Sequence, residues 1–116
     1  MSGDEITDLI EDATFEFTMG DHASAIAKLE GATAKSPDRF DAWHALAEIK
    51  FSLRDLDGAL AAAEAAHRLQ PDDLFINTTL SRVWMERGDK SAAEHFGARA
   101  KVLGWKEQLK PGSDSG

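Results

Sequence analysis

The sequence predicts an all-α chain, a solenoid of three helical hairpins, and three observations carry that reading. The stretch from Phe40 to Asp73 sets residues at gaps of three and four, first as Trp43, Leu46, Ala47, Lys50 and Phe51, then as Ala59, Leu60, Ala63, Ala66 and Leu69. Such spacing marks one face of a helix, and Arg54-Asp55-Leu56-Asp57 between the two halves leaves room only for a tight corner. The same layout returns at intervals of 34 residues: Gly20, Arg54 and Gly88, each followed by an aspartate (Asp21, Asp55, Asp89), then Ala25, Ala59 and Ala93, and Ala32, Ala66 and Ala100. Pro37 and Pro71 continue the series, with Trp105 at the third position, and no insertion disturbs the frame.

Each recurring position has a physical reason. Glycine at the corner tolerates positive φ and ends a helix, and the aspartate after it can accept the free N–H groups of the next helix. The two alanines per unit allow two helices to cross closely. Proline after the second helix stops it.

The first helix is predicted from about Gly3 to Met19, with Ser2 and Glu5 as a capping box. The second covers His22 to Lys35 behind Asp21, the third Arg39 to Leu53 behind Asp38, and the fourth Leu56 to Leu69 behind Asp55. Asp72 or Asp73 opens the fifth, which reaches Arg87. The sixth runs from Lys90 to Leu103, where Gly104 reads as a left-handed stop with Trp105 folded back over the last turn. Residues 106–109 can add a further turn. The repeats then span about 6–39, 40–73 and 74–107 of one domain over residues 1–110, and 111–116 have the composition of a flexible tail.

Composition excludes several classes. A net charge of −8 and a sequence pI near 4.8 argue against nucleic acid and anionic membrane surfaces. There is no cysteine for a disulfide or a thiolate. The longest apolar run, Ala59 to Ala63, is far below the roughly 18 residues of a membrane span. The polar first residues are unlike a secretory signal, so the default location is the cytoplasm. His22, His44, His67 and His95 fall on four different helices, and no zinc, phosphate-loop or nucleophile-elbow motif is present. Asp55-Leu56-Asp57-Gly58 lacks the later ligands of a calcium loop and reads as a cap and corner. Neither catalysis nor a metal or cofactor is expected.

In these positions the chain resembles the tetratricopeptide repeat family from Ile6 to Trp105. The middle unit matches best, with Trp43, Leu46, Ala47, Ala59, Ala66 and Pro71 on signature positions. The first unit has Asp12 where the family prefers leucine, and the third has Asn77 in place of the tryptophan. The resemblance implies a right-handed superhelix whose first helices line a concave groove that holds a peptide or helix of another protein. Carried over by position, the groove residues are Ile10 and Phe17 in the first unit, His44 and Phe51 in the second, and Phe75, Arg82 and Met85 in the third. Glu11, Asp41, Glu48 and Glu86 on the same face suit a partner segment that is apolar with some basic residues. The clamp by which some family members hold acidic chaperone tails is absent, because Ile10, Thr14, Ala45, Phe75 and Thr79 occupy its positions.

The third unit carries Glu94, Gly97 and Lys101 where the first has Ile26, Leu29 and Thr33 and the second Leu60, Ala63 and His67. Polar residues on a terminal face cap an array and favour a monomer that ends here. The alternative is a structural or assembly subunit, homo-oligomeric or bound to a filament or complex, that acts through its convex face or its C-terminal end. Phe96, Trp105 and Leu109 are its candidate apolar patch.

Overall fold

The computed structural model describes the backbone of residues 3–109 and the side chains of residues 5–109. Six helices follow one another: α1 (Gly3–Thr18), α2 (His22–Lys35), α3 (Phe40–Ser52), α4 (Leu56–Leu69), α5 (Leu74–Glu86) and α6 (Lys90–Leu109). They pair as α1 with α2, α3 with α4 and α5 with α6, and each hairpin then packs on the next through α2 against α3 and α4 against α5. The α1, α3 and α5 helices are neighbours in turn, which puts them on one side of the solenoid.

The 34-residue period holds at the level of single hydrogen bonds. Gly20, Arg54 and Gly88 have φ of 92°, 67° and 89°. At each corner the following aspartate N–H donates to the carbonyl five residues back: Asp21 to Glu16 at 2.8 Å, Asp55 to Lys50 at 2.9 Å and Asp89 to Trp84 at 3.0 Å. Those carboxylates cap the next helix as the sequence predicts, accepting from the N–H groups of Ser24, Gly58 and Ala92. Arg54 is the one non-glycine among the described residues to hold positive φ, a left-handed conformation that an L side chain adopts at a cost.

A second correspondence explains Asn77. In the middle repeat the Trp43 indole N–H donates to the Pro37 carbonyl at 2.9 Å. Thirty-four residues on, the Asn77 amide donates to the Pro71 carbonyl at 3.0 Å, and also to Asp73 O at 2.8 Å. Asparagine replaces the indole as donor in a fully buried position, and its own oxygen is left without a partner.

The core runs along the stack from Ala13, Ala25 and Leu29 through Leu46, Ile49, Ala63 and Ala66 to Ile76 and Leu80. A smaller cluster of Ile6, Ala32 and Ala42 joins α3 to the first hairpin. Alanines keep the crossings close, and a few larger side chains supply most of the buried apolar area.

Two predicted ends are corrected. Asp38 does not cap α3: the turn after Pro37 closes by Arg39 N–H on Ser36 O, α3 begins at Phe40, and its cap position is Arg39, whose side chain makes no capping bond. Gly104 does not stop α6, which continues to Leu109. A mid-helix glycine costs only about 1 kcal/mol, and Leu103 beside it is buried, so the helix persists. The Ser2 capping box and the tail at 111–116 lie outside the described residues.

Candidate partner-binding groove

The concave side carries two adjoining depressions. The first, of about 180 Å³, is formed by Thr14 and Phe17 of α1 with Ala45, Glu48, Ile49 and Ser52 of α3. The second, of about 280 Å³, is formed by His44 and Glu48 of α3 with Phe75, Thr78, Thr79 and Arg82 of α5. Glu48 borders both. The arrangement follows from the repeat, because residues 34 apart lie side by side on neighbouring helices and Thr14, Glu48 and Arg82 form one such column.

Glu48 is held from several directions. Its Oε2 lies 2.6 Å from the Thr79 hydroxyl and 3.6 Å from His44 Nε2, and Arg82 Nη1 is 3.4 Å from both carboxylate oxygens. Thr79 Oγ1 is also 2.9 Å from Phe75 O, but its one proton goes to the closer, charged acceptor. The His44 ring nitrogen beside the carboxylate, helped by the Thr79 hydrogen bond and the positive charge of Arg82, outweighs partial burial and lowers the Glu48 pKa to about 2. The carboxylate is therefore ionised at neutral pH. Arg82 in turn lies over the Phe51 ring, 4.6 Å from its centroid, so one guanidinium bridges an acid and an aromatic face.

The acidic lining read from the sequence is largely neutralised within the chain. Asp41 pairs with Arg39 at 2.8 Å, and that hydrogen bond is the main cause of its lowered pKa. Glu86 pairs with Arg54 at 2.6 Å. Glu48 has the partners above, and Glu11 stays exposed.

Of the seven groove residues predicted, Phe17, His44, Phe75 and Arg82 line the two depressions. Phe51 sits under Arg82. Ile10 is half-buried against the core clusters. Met85 lines a separate depression at the C-terminal end with Ser81, Glu94, Gly97 and Lys101. Phe96 does not join Trp105 and Leu109 in an exposed patch. It packs on the core with its ring 5.7 Å from His67 and 5.0 Å from His95, because nine residues are about two and a half helical turns and place it opposite Trp105. Trp105 and Leu109 are exposed. The reading missed the central part played by Glu48 and Thr79; the signal available was the pair Glu48 and Arg82, opposite charges one repeat apart. Among the described residues, no three His, Cys, Asp or Glu side chains come together as a metal site.

Fold and groove together define a helical-repeat solenoid. A tetratricopeptide repeat family model matches residues 16–73, half of the chain, and the chain belongs to that family. No curated protein matches it by sequence. In fold it is similar to a crystal structure of MamA (TM-score 0.85, 18% identity, covering 90% of this chain and 61% of that one) and to the CopN–Scc3 complex (0.85, 16%, 99% and 66%). It is also similar to the Yersinia enterocolitica type III secretion translocator chaperone SycD (0.83, 15%, 98% and 84%). The chain thus spans under two thirds of the MamA and CopN–Scc3 chains it matches. Among the described residues, no helix is long and apolar enough to cross a membrane.

Proposed function

We propose that this chain is a non-enzymatic protein-interaction module that seats a peptide or helical segment of another protein along its concave side. The observation that carries the reading is the pair of adjoining depressions, one walled by Phe17, Ala45 and Ile49 and the other by Phe75 and the Glu48 network. An apolar partner side chain fits the first. In the second, Arg82 Nη1 serves Glu48, and the other guanidinium N–H groups suit an acceptor on the partner. Because the chain neutralises most of its own groove acids, the partner is apolar first, and basic residues on it find mainly Glu11. Fold likeness to a translocator chaperone and to a two-protein complex supports a protein-holding role.

Capture from lysate by wild type, by Thr14→Arg and by Phe75→Ala tests this. Thr14 and Phe75 are exposed, so neither change disturbs the core. Loss of the captured protein in both variants, with unchanged helicity and melting, supports the groove. Retention in both, with loss in Trp105→Ala, moves the site to the C-terminal end.

A further inference from the structure

The two ends of the solenoid are complementary in shape register and in charge. Each inner helix docks on the preceding hairpin through the same positions: Ala42, Leu46 and Ile49 in α3, and Ile76, Leu80 and Val83 in α5, all buried. The counterparts on α1 are Asp8, Asp12 and Phe15, with Met19 one turn further, and all four are exposed. At the other end, Ser81, Met85, Glu94, Gly97 and Lys101 line an open depression of about 350 Å³. They stand one repeat beyond Ala47, Phe51, Leu60, Ala63 and His67, which belong to the face of the middle hairpin next to α5.

We propose that this depression receives α1 of a second copy, so that chains stack head to tail and continue the superhelix. Charge supports that occupant. The α1 helix carries six carboxylates, one of them (Glu16) paired with Lys28, and no Lys or Arg, whereas α6 keeps three lysines against two Glu once Arg99 is paired with Asp72. In the register of the repeats, Asp12 takes the place of Leu46 and enters the notch left by Gly97, beside Lys101, which makes no ion pair within the described chain. Phe15, the counterpart of Ile49, meets Met85, just as Ile49 meets Phe17 across the first depression. Glu94 stays at the rim, and Trp105 on the extended α6 faces the start of the incoming helix. The contact is heterologous, with different surfaces on the two copies, so it propagates rather than closing at two.

Sedimentation velocity of the full chain over a wide concentration range tests it. The mass should grow with concentration beyond a dimer and shrink at high salt. Asp12→Lys and Lys101→Asp should each weaken association by at least about tenfold. Neither variant should associate with itself, and an equimolar mixture of the two should recover the growth. Circular dichroism confirms that both fold. A constant monomer mass at every concentration overturns the proposal. So does association that Trp105→Ala abolishes while both charge reversals leave it intact, since that is the behaviour of an isologous dimer.

Discussion

The two halves of the groove are built on the same backbone and differ in chemistry, and two columns of the repeat account for most of the difference. Where α3 has Ala45, α5 has Thr79; where α3 has Glu48, α5 has Arg82. The first junction is consequently an apolar contact of Phe17 with Ala45 and Ile49, whereas the second is a hydrogen-bonded network around one carboxylate. An apolar junction draws its stability from area removed from water and tolerates an imprecise fit. A charged junction draws it from geometry and loses it when one partner is removed. One face can thus offer both a pocket without directional preference and a site that fixes orientation.

The largest effect is expected from breaking the apolar side. Ile49 is 5% exposed and lies in the main core. Ile49→Ala should cost about 2–4 kcal/mol, a large part of the roughly 5–15 kcal/mol that holds a domain together. Urea unfolding measures it. A loss below about 1 kcal/mol would mean that the first junction collapses around the missing methyl groups.

On the polar side the matching change is Thr79→Val, which keeps shape and removes the hydroxyl. The expected loss is smaller, about 1–2 kcal/mol, for one hydrogen bond to a charged acceptor. The Glu48 pKa should rise at the same time, because the Thr79 hydrogen bond helps to lower it. Carboxyl chemical shifts in a pH titration separate this from plain destabilisation, as a change of packing alone would leave the Glu48 titration where it was.

The same carboxylate makes stability depend on pH. Its pKa is about 2 in the folded chain against 4.5 for the free side chain. A lowered folded pKa stabilises above the unfolded value, so the contribution is complete above about pH 4.5 and is lost as pH falls toward 2. With the side chain 38% exposed, solvent screening reduces it to about 1 kcal/mol. Glu48→Gln should flatten the acid limb of the stability curve by that amount and leave the neutral limb nearly parallel. An unchanged slope between pH 4.5 and 2 would show that the network does not hold in solution.

Much of this architecture was legible because it rests on local and periodic signals. Helix bounds at α2 and α4, the corner aspartates and the 34-residue frame follow from caps and spacing that each segment carries by itself. The errors arose where a neighbour decides. Gly104 has the propensity of a stop, yet the turn that buries Leu103 carries the helix through it. Asp38 has the right residue type for a cap one residue too early. Phe96 separates from Trp105 by helical angle only because α6 runs on through Gly104. The acids of the groove could be counted in the sequence, but their neutralisation depends on Arg39 folding onto Asp41 beside it, and on Arg54 and Arg82 reaching Glu86 and Glu48 from a corner and a neighbouring helix.

The smallest effect is expected at the corner beside the polar junction. Arg54 takes a left-handed conformation that the other two corners give to glycine, and it pairs across the junction with Glu86. Arg54→Gly relieves about 1–2 kcal/mol of backbone strain, but it loosens the unfolded chain by a smaller amount, about 0.4–1 kcal/mol, and gives up an exposed ion pair worth about 0–1 kcal/mol. The net change should be within about 0.5 kcal/mol. Arg54→Ala keeps the strain and loses the pair, so it should be the less stable of the two. If alanine matches or exceeds glycine in a thermal melt, the corner is not strained, and arginine is there for its reach to Glu86, which would make the ion pair rather than the turn the feature that separates this junction from the first.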